Sequence, residues 1–162
     1  MKSTTLLTIL VLAPAQLAIA RLGESEKELT ARFGDAPSRG SEKTIAQGKF
    51  HEIGVRLTFR QGDWTIESVI IDGRCARETY RKKGDWSEEQ FATVLNCNAQ
   101  GGNWKPTSEG SMKKVVREWR RDDGATAAWK LGTMTITHPA FERAKTVAEA
   151  KAKANSARTP KI

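Results

Sequence analysis

Two histidines, two cysteines and a few neighbouring acids are the residues whose types could do chemistry in this sequence. A histidine base at His138 would need a nucleophilic hydroxyl and an orienting acid within reach. The sequence places neither beside it. Thr137-His138-Pro139 reads as strand end, helix cap and a proline at the first helical position. A small extracytoplasmic hydrolase built on His138 is therefore the rival reading, not the first. His51 leads a strand and reads as structural. Glu88 and Glu89 stand about 100° apart around a helix, so they face different ways and cannot flank one glycosidic bond. Asp122 and Asp123 read as turn residues. Cys75 and Cys97 form no CxxC pair, and with two distant histidines they lack metal-ligand spacing. A P-loop, a dinucleotide-binding turn and a nucleophile elbow are all missing. These residues predict a protein with no catalytic group, no metal and no cofactor.

What remains is recognition chemistry. Trp104 sits beside Lys105 in the stretch AQGGNWKPTSEGS (99–111), where an aromatic ring can anchor a partner. Arg117, Arg120 and Arg121, with Lys113 and Lys114, would supply a charged rim. Lys and Arg number 27 against 19 Asp and Glu, a net charge of +8, and many of the cations crowd the last twenty residues. That balance suits an acidic protein surface or another anionic surface. Nucleic-acid binding would need exposed aromatics in register with a basic groove, which the pattern does not offer. The C-terminal helix lacks the bulky apolar face of a membrane-surface helix. Trp104, Lys105, Arg117, Arg120 and Arg121 are the expected binding residues, and an envelope or secreted protein is the expected partner.

The expectation of export comes from the first twenty residues. Lys2 gives a short positive start, LLTILVLA (6–13) an apolar run, and Ala18-Ile19-Ala20 a small-x-small cleavage site. Pro14 interrupts the apolar run, and no cysteine near the cut offers a lipid attachment point. Cleavage after Ala20 would remove one lysine and no acid, taking the net charge from +8 to +7. No later segment is apolar enough to span a bilayer, so a periplasmic or secreted protein is expected. In such a compartment Cys75 and Cys97 are expected to pair. A bridge across that separation would contribute about 3 kcal/mol on the chain-entropy model.

The elements that must position these residues are legible in outline. Ser25 and Glu28 match a capping box that starts a helix over Glu26–Phe33, with Leu29 and Phe33 on one face and Gly34 ending it. The polar stretch 34–48 reads as a long loop. Ile53, Val55, Leu57 and Phe59 then alternate with polar residues, a strand with one wet face. A turn at Gln61-Gly62 would set Phe59 opposite Trp64 and Leu57 opposite Ile66. A second turn at Asp72-Gly73 would set Ile70 opposite Cys75, and Glu67 opposite Glu78 with Arg56 offsetting the repulsion. Ser87 and Gln90 cap a second helix (88–98), stapled by Trp86 and Phe91, with Phe91, Val94 and Leu95 as its apolar stripe. Cys97 lies next to that stripe, so both cysteines are expected in the layer between helix and sheet. A further hairpin turns at Asp123-Gly124, with Trp119 and Trp129 nearly opposite. Met134 and Ile136 mark another strand, and 141–154 a final helix with a thin apolar side. The expected fold is α+β: an antiparallel sheet with helices packed on one face, forming a single domain over 21–154, after a leader at 1–20 and before a frayed tail at 155–162.

The stretch RLGESEKELTARFGDAP resembles the opening of the small outer-membrane-associated lipoproteins of the BamE/SmpA/OmlA kind, and VIIDGRCARETY is similar to their Asp-Gly hairpin. The likeness lies within residues 21–80. It implies helices on an antiparallel sheet and a module that binds another protein. The lipid-attachment cysteine of those lipoproteins is absent, so the likeness implies no tether and assigns no functional residues. The secreted beta-lactamase inhibitor protein is similar in general architecture, in two tandem units, and this chain shows the order capped helix, loop and Asp-Gly hairpin twice. An inhibitor of a secreted enzyme is accordingly the second reading.

Overall fold

A computed structural model gives the fold for residues 21–36, 38–107 and 116–158. The expected leader, together with Lys113, Lys114 and residues 159–162, lies outside the described residues. The elements in chain order are α1 (Glu26–Phe33), β1 (Ser38–Ala46), β2 (Lys49–Gln61), β3 (Trp64–Ile71), β4 (Arg74–Lys82), α2 (Glu88–Cys97), β5 (Trp104–Pro106), β6 (Val116–Arg121), β7 (Thr126–Lys130), β8 (Thr133–Thr137) and α3 (Pro139–Arg158). The strands form one antiparallel sheet in the order β1-β2-β3-β4-β8-β7-β6-β5. Helices α1 and α2 pack against one face of it, as the α+β expectation has it, and α3 lies on the other. Leu29 and Phe33 of α1 and Phe91 and Val94 of α2 meet Leu57, Phe59, Ile66, Ile70, Tyr80, Met134 and Ile136 of the sheet. Near the end of β3, Val69 and Ile71 point the other way and join Ala76 and Phe141 in a small second core under α3.

Both expected capping boxes are formed. The Ser25 amide donates to Glu28 Oε2 at 2.7 Å and the Glu28 amide to Ser25 Oγ at 3.3 Å. The Ser87 amide and Gln90 Oε1 repeat the arrangement at 3.0 Å. The staple closes as expected, with the Trp86 and Phe91 rings stacked at 5.1 Å.

Five local expectations are corrected. Most of the polar stretch 34–48 is not loop: Ser38–Ala46 is the edge strand β1. It carries almost no apolar alternation because only Glu42, Thr44 and Ala46 turn inward. Glu42 is accepted there because Arg77 meets its carboxylate at 2.7 Å and Arg56 at 3.8 Å. The β2–β3 turn lies one residue further on, at Gly62-Asp63 between the paired Gln61 and Trp64, with Gly62 in the left-handed region at φ +56. Phe59 is thus opposite Ile66, two residues from the expected partner, and every side chain keeps its face. Ile70 does face Cys75, but a bulge then sets Val69 opposite Arg77 and Ser68 opposite Glu78. That extra residue turns Glu78 into the core and leaves Glu67 outside, 2.8 Å from Arg81. Trp119 and Trp129 are not opposite each other: they pair with Ala127 and Arg117, and both rings rest on Phe91, at 6.2 and 5.5 Å. The final helix also runs on to Arg158.

The expected disulfide is absent: Cys75 and Cys97 are both free. The inward stripe of α2 runs from Phe91 and Val94 to Asn98, and Asn98, fully buried, takes the position a bridging cysteine would need. Cys97 stays beside the stripe, half-buried. Cys75 is sealed at the start of β4, its thiol 3.5 Å from Glu78 Oε1. Burial pushes that thiol well above the ordinary range, and the Glu78 charge pushes it the same way. Titration with a thiol reagent is expected to find two free thiols per chain under denaturing conditions without reductant. In the native state Cys97 reacts and Cys75 is protected; a native chain in which Cys75 reacts first would contradict this placement.

Gly54 is required by a close approach. It ends the stretch of β2 that pairs with β1 alone, and a Cβ there would run into the Ile70 carbonyl oxygen. Gly54→Ala should therefore destabilise by about 1–3 kcal/mol, as overpacking against backbone does. A shift of the urea midpoint toward lower concentration with an unchanged slope checks this. An unchanged midpoint would mean that the strands separate freely at this point.

Candidate functional site

The five expected binding residues do not share one surface. Trp104 and Arg121 are cross-strand partners on the helix-covered face. The Trp104 indole nitrogen donates to the Leu95 carbonyl at 2.8 Å, and its ring lies under the Arg121 guanidinium at 5.4 Å. This ring is spent inside the fold. Arg121 is only 2% exposed. Its guanidinium holds both Asp123 oxygens, at 2.8 and 2.6 Å, Gln100 Oε1 at 2.9 Å, and the Asn98 carbonyl. Asp123 is held down to about 2, first by the Arg121 bonds and then by the Ala125 amide. Arg117 sits over the Phe91 ring at 4.8 Å and pairs with Glu88 at 2.7 Å. Lys105 and Arg120 are the two that reach the opposite face. They are cross-strand partners and exposed, with Lys105 2.8 Å from Asp122.

Arg121 is one end of a buried polar chain that the residue pattern did not point to. Gln100, bound to Arg121, also donates to the Leu22 carbonyl. The Leu22 amide donates to Asn98 Oδ1 at 2.9 Å, and Asn98 Nδ2 donates to the Tyr80 hydroxyl at 3.2 Å. Tyr80 donates in turn to Glu78, whose other oxygen meets the Cys75 thiol. Ser68, on the neighbouring strand, is fully buried beside this group. The chain joins β6, the end of α2, the segment before α1, and β4. Burial raises the Glu78 carboxyl to about 7, against the lowering effect of its Tyr80 and Cys75 hydrogen bonds. Asn98 was accessible in principle, since it continues the stripe of Phe91 and Val94 at helical spacing. Glu78 was not, because its inward direction depends on the bulge.

His138 caps α3. Its Nδ1 accepts the Ala140 amide at 3.2 Å, and its Nε2 stands 4.0 Å from Asp123 Oδ2. Burial lowers it from the ordinary imidazole range, with the Asp123 charge acting against that. It lines a cleft of about 490 Å³ with Thr126, Thr137, Glu142 and Arg143. In the neutral ring Nδ1 is engaged as an acceptor, which leaves the proton on Nε2, on the side of Asp123. His51 bonds the Ala46 carbonyl at 3.2 Å across the β1–β2 hairpin. Among the described residues no three His, Cys, Asp or Glu side chains gather as a metal site.

The remaining polar surface is the open face of the sheet's second half. Glu118, Arg120, Thr126, Ala128, Thr133, Thr135 and Thr137 alternate with the core residues Ala127, Met134 and Ile136, so they share the outward face. Part of it, over β6 and β7, is a shallow depression of about 440 Å³.

No protein-family model and no curated protein matches the chain. Among solved structures, it is similar to a cysteine-rich secretory protein from Staphylococcus aureus subsp. aureus Mu50, at 10% identity and a TM-score of 0.39. The similarity covers 74% of this chain and 45% of that one, so the chain spans less than half the length of the structure it matches. No helix among the described residues is long and apolar enough to cross a membrane.

Proposed function

We propose that the protein is a non-catalytic binding module of the cell envelope or the exterior, acting through the open sheet face of β5 to β8. One observation carries this reading. α3 packs under the β1–β4 side and reaches Thr126 at its edge, while Glu118, Arg120, Ala128 and Lys105 lie beyond it on a broad, polar face. Flat sheet surfaces of this kind accept another protein's side chains between their rows. Arg120 and Lys105 favour an acidic partner surface. The other polar clusters are committed to holding the fold together, and His138 is occupied as a cap.

Affinity capture of the tagged chain from its native envelope tests this, with Thr126→Trp as a block on the face and Lys27→Trp, at an exposed position of α1, as the control. A partner retained by the wild type and the control but lost by Thr126→Trp is the expected result. If that partner is an enzyme whose activity falls on binding, the module is an inhibitor. Retention by Thr126→Trp moves the interface elsewhere, and recovery of no partner overturns the binding reading.

A further inference from the structure

The β1–β2 ribbon outruns the rest of the sheet. β2 pairs with β1 from Lys49 to Thr58 but with β3 only from Val55, so its first turn-proximal residues stand on a two-stranded arm. One face of the arm is packed by α3, under which Thr44 and Ala46 are buried. The other face carries Ile45 and Phe50, direct cross-strand partners, which are 63% and 73% exposed. Two bulky apolar side chains side by side at a projecting tip are costly in water and have no packing role in the fold.

The surroundings decide what covers them. Lys43 shares the face of the pair, opposite Glu52, and Lys49, the partner of Ala46, stands beside Phe50 at the turn on the other face. Arg143 and Lys151 of α3 line the adjoining cleft with His51, Glu52 and Asp72. Of the acids, Glu52 accepts from Ser41 at 2.8 Å, and the nearby Glu42 is taken by Arg77 and Arg56. Counting both faces of the arm, the cations Lys43, Lys49, Arg143 and Lys151 outnumber Asp72 and Glu52, the latter directly opposite Lys43. A second copy of the chain would bring the same positive tip against this one. A folded protein needs a broad patch, on the order of 800 Å² per partner, whereas this is a point of two side chains. A bilayer accepts a projecting apolar point, and anionic headgroups complement the lysines around it.

We propose that the Ile45–Phe50 tip is a membrane-contact element that inserts into the interface of an anionic lipid surface, with Lys43 and Lys49 at the headgroups. This surface is distinct from the open sheet face and does not depend on the reading above. Co-sedimentation with phosphatidylcholine vesicles, with and without phosphatidylglycerol, tests it. The wild-type chain is expected to sediment with the phosphatidylglycerol vesicles and to remain in solution with the neutral ones. Ile45→Ser/Phe50→Ser, which removes exposed groups only, should weaken sedimentation by about tenfold or more. Lys43→Glu/Lys49→Glu should weaken it too, as should added salt. Thr126→Trp should leave it unchanged, which separates this test from that of the sheet face. No sedimentation of the wild type, or sedimentation undiminished in Ile45→Ser/Phe50→Ser, overturns the proposal. Self-association of the wild type that the serine pair abolishes would assign the tip to a second copy and overturn it equally.

Discussion

Replacing Arg121 with alanine is expected to lower stability by about 3 kcal/mol, near the lower end for breaking a buried ion pair. The guanidinium is almost fully enclosed and satisfies four groups together: both Asp123 oxygens, Gln100 and the Asn98 carbonyl. Its removal takes a charged donor away from the Asn98 carbonyl in the interior and opens a cavity over the Trp104 ring. Asp123 is about half exposed, so water recovers part of what that carboxylate loses, which holds the effect near 3 rather than 5 kcal/mol. The loop after α2 is shaped around the same side chain: a Cβ on Gly102 would meet Arg121 Cγ at 3.0 Å. Arg121→Lys keeps the charge but loses the planar fork, so it cannot hold Asp123 in two bonds and reach Gln100 as well. It should fall between the wild type and the alanine variant. Urea unfolding followed by tryptophan emission measures both. An alanine variant within about 1 kcal/mol of the wild type would show that Arg121 does not anchor the second hairpin to α2.

The same residue shows what side-chain pattern conveys and what it leaves out. Arg121 belonged, by spacing alone, to an exposed basic cluster with Arg117 and Arg120. Strand alternation puts Arg117 and Arg121 inward and Arg120 outward, and that assignment needs a register, which the ambiguous Asp122-Asp123-Gly124 turn left open. Faces were more legible than partners. Leu57, Phe59, Trp64 and Ile66 stayed on the core side although the β2–β3 turn moved by a residue, because burial fixes parity while turn geometry fixes register. The helix starts were legible because capping boxes are local chemistry within four residues. β1 was not, since an edge strand that buries Glu42, Thr44 and Ala46 carries no hydrophobic period. Nor was the bulge near Ala76, because no side chain there announces an extra residue. The missing disulfide follows from that limit: both cysteines were placed in the right layer, but Asn98 and Glu78 occupy the space between helix and strand that the bridge would have needed.

Glu78 gives the fold a pH-dependent contribution between acid and neutral pH. Its carboxyl is fully buried, and burial raises it to about 7 from an ordinary value of 4.5. The folded chain therefore holds a proton that the unfolded chain has released between those two values. Stability from this group is fully present below about pH 4.5, is lost as the pH rises toward 7, and stays lost above it, a change of about 3 kcal/mol. The groups facing it explain why it does not rise further. Tyr80, Cys75 and Asn98 donate to the charged form, while the Glu24 charge opposes it. Tyr80 and Cys75 are themselves pushed up by burial, so their contributions fade only at alkaline pH. Groups whose values are lowered slope the opposite way: the exposed Glu28, Glu88 and Asp122, and the more enclosed His138 and Asp123. His138, lowered by partial burial, loses stability as the pH falls below the imidazole range, and Asp123 does so as the pH falls from 3.8 toward about 2. Maximum stability is accordingly expected on the acid side of neutrality. Urea midpoints of the wild type across pH 4.5 to 8 should decline, and those of Glu78→Gln should not share the decline. The difference between the two slopes isolates Glu78, because His138 and Asp123 are common to both chains. Tyr80→Phe removes a donor to the carboxylate, so its decline should extend to higher pH than the wild type's. Parallel slopes in the wild type and Glu78→Gln would mean that the carboxylate is charged in the folded chain throughout, its three donors outweighing its burial.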